Sequence, residues 1–169
     1  VGMAVRWASV ESEVNPQPIT ETSTTKKTAL GTTIRAKDFG SSESGVGEFV
    51  YCLGVASTAV GDFVSIDEAY ATTRLVPSAV GRVGVAMSAN VASQYGWYQI
   101  AGKAQALCGQ ACAADVALFI DGGTTAACDD TDVAGDAVHG AFNRTLVGGA
   151  DAVSDVELSH PHVTNVDYA

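Results

Sequence analysis

The 169-residue chain predicts an all-β fold: a compact β-sandwich, small barrel or β-tulip-like domain with an extended N-terminal arm. Three observations predict it. The composition is light, with 18 Gly, abundant Ala, Val, Thr and Ser and no long amphipathic helical pattern. Turn signals recur every ~8–12 residues, the spacing of short strands in sandwiches and barrels. The third is Tyr95-Gly-Trp-Tyr-Gln-Ile-Ala-Gly102, which concentrates large apolar side chains in a chain only 7% aromatic. As a strand it directs Tyr95, Trp97, Gln99 and Ala101 to one face and Gly96, Tyr98 and Ile100 to the other. Both faces carry apolar bulk, as in a strand packed on two sides. Tyr95, Trp97, Tyr98, Ile100, Val116 and Leu118 are the predicted centre of the core.

Taken in order, residues 1–30 form the predicted arm and 31–169 the β-rich domain. Pro16 and Pro18 forbid a helix or inner strand across Glu11–Pro18. Ile19–Thr28 is polar and β-branched, poor in anchors and suited to extended chain. Its expected role is to order against another subunit, with Trp7 seeking a pocket there. Strands are predicted at Thr32–Lys37, Glu48–Leu53, Phe63–Ile66 and Thr72–Val76, the last stopped by Pro77. Gly40–Gly45 is a predicted turn. Val80–Ala86 is a strand in which Gly81 and Gly84 imply a bulge or close backbone approach. Tyr95–Gly102 and Lys103–Leu107 follow, then Asp115–Ile120 before the turn Asp121-Gly-Gly123. Val138–Phe142 and Asn143–Val147 are one strand or two, and Ala152–Leu158 is the last. Gly109–Ala114 is Ala-rich but too short for a free-standing helix.

The net charge is -10, unevenly spread. Residues 1–37 hold five basic and three acidic residues, a balance of +2; residues 38–169 hold four and sixteen, a balance of -12. An acidic body argues against nucleic acid as a partner, because phosphate contact needs Lys and Arg. No window approaches the ~18 apolar residues of a membrane span, so no membrane is expected. Val1–Val5 is too short for a signal-peptide core and Arg6 interrupts it, so synthesis in a host cytoplasm is expected. There the four cysteines, Cys52, Cys108, Cys112 and Cys128, are expected as buried thiols rather than disulfides. Cys108-Gly-Gln-Ala-Cys112 is half of a zinc pattern without its second half.

Motifs for chemistry are weak. His160-Pro-His162 matches a metal pair in composition only, and an exposed tail is the expectation. Asp129–Asp136 opens like an EF-hand loop from Asp130, but Ala134 takes its fifth place and Ala141 its twelfth. A turn whose Asp side chains bond their own backbone is expected instead. Asn143-Arg-Thr145 fits a glycosylation pattern and is expected to be incidental. No nucleophile elbow, Walker loop, zincin or dinucleotide fingerprint occurs. No catalytic residue, metal or cofactor is therefore assigned, and an enzyme is not expected.

Gly61-Asp-Phe-Val-Ser-Ile-Asp67, Val80-Gly-Arg-Val-Gly-Val-Ala86, Tyr95–Ala104 and Ala113-Ala-Asp-Val-Ala-Leu-Phe119 follow one another in an order that resembles the head decoration, or capsid cement, proteins of tailed bacteriophages. The resemblance spans roughly residues 48–147 and rests on strand-and-turn patterns. It implies a virion protein on the outer surface of an icosahedral head, a homotrimer that reinforces joints between major capsid protein subunits. The arm departs from the shortest members, which begin close to the β-domain. Expected capsid contacts are Trp7, Ile19, Thr20, Thr22, Thr24, Thr25, Lys26 and Lys27. Two alternatives stand beside this: a tail or fibre component binding host-surface glycans through exposed aromatics, and a β-fold metalloenzyme.

Overall fold

The computed structural model describes residues 17–36 and 46–166. Among them there is no helix, hence none long and apolar enough to cross a membrane. Ten strands form one sheet: β1 (Thr33–Ala36), β2 (Gly47–Leu53), β3 (Phe63–Ile66), β4 (Thr72–Arg74), β5 (Gly81–Ala86), β6 (Tyr95–Cys108), β7 (Val116–Ile120), β8 (Cys128–Asp129), β9 (Ala137–Asn143) and β10 (Ala152–Val163). Their order is β1-β2-β6-β8-β7-β9-β10-β5-β3-β4. Because β6 also pairs with β10, the strands β6, β8, β7, β9 and β10 close into a ring. All pairings between these strands are antiparallel except the single parallel step Cys108↔Cys128.

The Tyr95–Gly102 segment does not stop where its composition suggested. It continues through Lys103–Leu107 as one 14-residue strand, β6. Its first half lies between β2 and β5, and its second half pairs with β10 and ends beside β8. The two halves meet at a bulge. Glu48 of β2 faces Ala101 while Phe49 faces Gln99, which leaves Ile100 as the extra residue. Gln99 fills the gap in the ladder, its Nε2 donating to the carbonyls of Ala101 (3.1 Å) and Lys103 (2.9 Å). Gly102 has φ +93°, and a Cβ there would sit 2.9 Å from the carbonyl oxygen of Val46. Only glycine suits that position.

Both faces of the first half are packed, as the alternation predicted. Trp97, Tyr51, Phe49, Ile34 and Ala36 form one buried cluster, flanked by half-buried Tyr95. Tyr98, Val50, Cys52, Val64, Ile66 and Ala86 form the other, flanked by Tyr70 and Ile100. The largest cluster fills the ring, with Leu118, Ile120, Val138, Val156 and Leu158 among its members. Of the predicted core residues, Trp97, Tyr98 and Leu118 are buried, while Tyr95, Ile100 and Val116 are half-buried at cluster margins.

Three elements differ from expectation. The last strand runs past Leu158 to Val163, so His160-Pro-His162 lies within β10 rather than in a tail. The chain crosses its own proline by bulging: Leu158 faces Ala141 and His162 faces His139, so β10 spends two more residues than β9 between these pairs. Strand β9 ends at Asn143 instead of continuing to Val147. Strand β8 has only two residues and no apolar alternation to announce it. The turn expected at Gly40–Gly45 lies outside the described residues.

Candidate docking strap and a basic groove

The Thr-rich segment expected to reach a neighbour is, over residues 17–30, fastened to its own chain. Gln17 is buried and acts as the fastener. Its backbone carbonyl accepts from Trp97 Nε1 (2.8 Å), and its Oε1 accepts from the Tyr51 hydroxyl (2.8 Å). Its Nε2 donates to the carbonyls of Tyr95 (2.9 Å) and Glu21. Ser23 then forms an antiparallel bridge with Tyr95 (N–O distances 3.0 and 2.8 Å), and the Lys27 amide donates to the Tyr51 hydroxyl (3.2 Å). Tyr95 and Trp97, two of the three aromatics predicted as core, therefore anchor this strap together with Tyr51. Burial pushes the Tyr51 and Tyr98 phenols above their ordinary pKa, so both remain neutral hydrogen-bonding groups.

Of the expected contact residues, Ile19 packs half-buried against the Trp97 cluster and Thr22 is half-buried. Thr20, Thr24, Thr25, Lys26 and Lys27 are exposed. Trp7 lies outside the described residues. The strap is thus a short basic, hydroxyl-rich strip with a fixed backbone on a body whose net charge is acidic.

The polar motifs resolve into structure. Asn143 is buried: its Nδ2 donates to the carbonyls of Ala113 (2.7 Å) and Thr145 (2.6 Å), and its Oδ1 accepts from Ser154 Oγ (2.7 Å). A side chain so enclosed is no glycan acceptor. Asp129 Oδ1 accepts from the Thr131 amide (3.0 Å), as a self-capping Asp turn does. Asp130 accepts from the Ala113 amide (3.0 Å), and Asp136 from the Ser78 amide (2.9 Å). The four cysteines are free and buried. Burial pushes the Cys52 and Cys108 thiols up to about 12 and Cys112 to about 11, with Cys128 well above its ordinary value. Such thiols stay protonated, which does not suit nucleophilic attack. No group of three His, Cys, Asp or Glu side chains among the described residues is placed to hold a metal.

The two histidines of His160-Pro-His162 do not share a ligand. His160 adopts φ +48°, and its Nε2 lies 3.0 Å from Glu48 Oε2. The His162 ring stacks on His139, with centroids 5.2 Å apart. Arg82 is the cross-strand partner of His162 and lies over the Tyr70 ring at 5.5 Å. Arg82, His160 and His162 border a groove of about 450 Å³. His160 and His162 lie far from the Arg82 strand in sequence; only strand register brings them together.

Comparison with protein-family models, curated proteins and solved structures found no match.

Proposed function

We propose that this chain is a virion structural protein that binds the outer surface of an assembled icosahedral phage head and stabilises contacts between major capsid protein subunits. The observation that carries the reading is the fastened strap, which presents Thr20, Thr24, Thr25, Lys26 and Lys27 from a fixed backbone. A contact strip ordered before binding loses less conformational entropy on docking than a loose arm. A protein that binds the assembled shell, and not loose subunits, stabilises assembly by its binding free energy. Arrangement as a homotrimer would place several straps on one particle and raise the effective concentration of each contact. The glycan-binding alternative drew on exposed aromatics in Tyr95–Tyr98. Trp97 and Tyr98 are fully buried, so that set offers no sugar platform.

Co-sedimentation with undecorated, expanded phage heads tests the reading. Deleting residues 17–30 would remove Gln17 from Trp97 and Tyr51, so a surface variant, Lys26→Glu with Lys27→Glu, separates docking from folding. The intact chain is expected to pellet at saturation with a fixed copy number. The double variant, with an unchanged melting temperature, is expected to bind about tenfold more weakly. Equal binding by both removes the strap from the contact. Failure of the intact chain to pellet overturns the decoration reading.

A further inference from the structure

Two bulges and a glycine shape the groove at the junction of β1, β5, β6 and β10. The β6 bulge leaves Ile100 as the extra residue, and the β10 bulge carries Ser159–Pro161 closely past Gly140 of β9. Gly140 makes the second bulge possible: it has φ +81°, and a Cβ there would lie 2.6 Å from the Ser159 carbonyl oxygen. Ile100 and Pro161 supply the apolar part of the groove's lining. Along one wall, Arg82 faces His162 across β5 and β10, and His162 faces His139 across β10 and β9. Directly opposed residues share a face of the sheet, with Cβ atoms roughly 5 Å apart. A guanidinium and two imidazoles thus stand in one row.

The carboxylates nearest this row are engaged elsewhere. Glu48 contacts both Arg35 (3.4 Å) and His160 (3.0 Å). Asp67, at the end of the neighbouring β3, accepts from the amides of Ala69 and Ala71, each at 2.9 Å. Arg35, Arg74 and Arg144 each pair with a carboxylate. Arg82 is the one arginine among the described residues without such a pair, and its polar contact is the Tyr70 hydroxyl at 3.4 Å. In a chain with 19 acidic residues, an arginine that faces a groove and lacks an acidic partner marks a place kept for an external anion.

We infer that this groove binds a small organic acid: a carboxylate held by Arg82 and the N–H of His162, with an aliphatic stem lying against Ile100 and Pro161. The volume falls within the range of small-molecule pockets, and an apolar lining with few convergent polar groups is their usual make-up. A bare inorganic anion would leave the apolar lining unused, and a neutral stem would leave Arg82 without its counter-charge.

The experiment is amide-resolved NMR titration of the whole chain with hexanoate, hexan-1-ol and inorganic phosphate. Hexanoate is expected to give saturable shifts at Arg82, Ile100 and His162, with hexan-1-ol and phosphate each at least about tenfold weaker. Arg82→Gln is expected to reduce hexanoate affinity at least about tenfold. If that variant fails to fold, His162→Gln and the three-ligand comparison on the unaltered chain decide. Phosphate binding as tightly as hexanoate would reduce the groove to a point charge and overturn the inference. Equal binding of hexan-1-ol, shifts centred elsewhere, or no saturable shift overturn it as well.

Discussion

Replacing Gln17 by Ala should release the strap, and the size of the effect follows from its bonds. The substitution removes the acceptor of the Tyr51 hydroxyl and the donor to the carbonyls of Tyr95 and Glu21, while the backbone carbonyl that accepts from Trp97 stays. Three hydrogen bonds at a net ~1 kcal/mol each give about 3 kcal/mol. A chain of this size melts ~2–4 °C lower per kcal/mol lost, so the transition should fall by about 6–12 °C if the strap melts with the body. If it opens on its own, the open form should become roughly a hundredfold more populated, at ~1.4 kcal/mol per tenfold. Trypsin cleavage after Lys26 and Lys27 reports that opening directly, since fast-opening segments are cut in proportion to their open population. Tyr51→Phe deletes the shared bond from the other side, together with the acceptor for the Lys27 amide. The double variant should therefore cost about 1 kcal/mol less than the two single variants added together. A melting temperature within ~1 °C of the original, with trypsin cutting at its original rate, would refute the fastening; each magnitude rests on the handful of bonds named.

Two further outcomes are expected. With folded thiol pKa values raised above the unfolded ~8.5, the cysteines add stability that is complete below that pH. Above it the unfolded state ionises first, so stability should fall by up to ~1.4 kcal/mol per pH unit for each of Cys52 and Cys108, between about pH 9 and 12. Denaturant melts at pH 8 and 10 measure this, and a thiol reagent at pH 8 should label the native chain far more slowly than the unfolded one. The second perturbation is Gly140→Ala, which puts a Cβ 2.6 Å from the Ser159 carbonyl oxygen at φ +81° and should cost about 2 kcal/mol or more. Chemical denaturation checks the cost, and an unchanged midpoint would show that the β10 bulge does not need that glycine.

Much of the β architecture was legible because alternation and turn residues are local. Phe63–Ile66 forms the predicted strand between its predicted ends, and Trp97 and Tyr98 are buried on opposite faces of β6 as a period of two requires. Other features were hidden for identifiable reasons. Cys128–Asp129 is too short to carry a period. Pro161 reads as the end of a strand unless a bulge absorbs it, and bulges depend on the partner strand. The fastening of the strap by Gln17 required knowing that Trp97 Nε1 and the Tyr51 hydroxyl face the same point, a relation between residues far apart in sequence. The Arg82–His162–His139 row likewise exists only through register. A local cue to it was present in Gly140 and Pro161, the two residues that make the bulge.

The closed ring also constrains how the chain emerges from a ribosome. Strand β6 is made well before β10, and most of its second half has no ladder partner until Ala152–Ser159 arrives to pair with Ala101–Cys108. A nascent chain ending before β10 therefore holds the strap site and the Trp97 cluster complete, yet carries an open edge and the unshielded row Ala104, Ala106 and Cys108. Such an edge is a template for pairing with another nascent copy. Strand β10 is thus the one that ends this exposure, and truncations within it should yield aggregates rather than a smaller soluble domain.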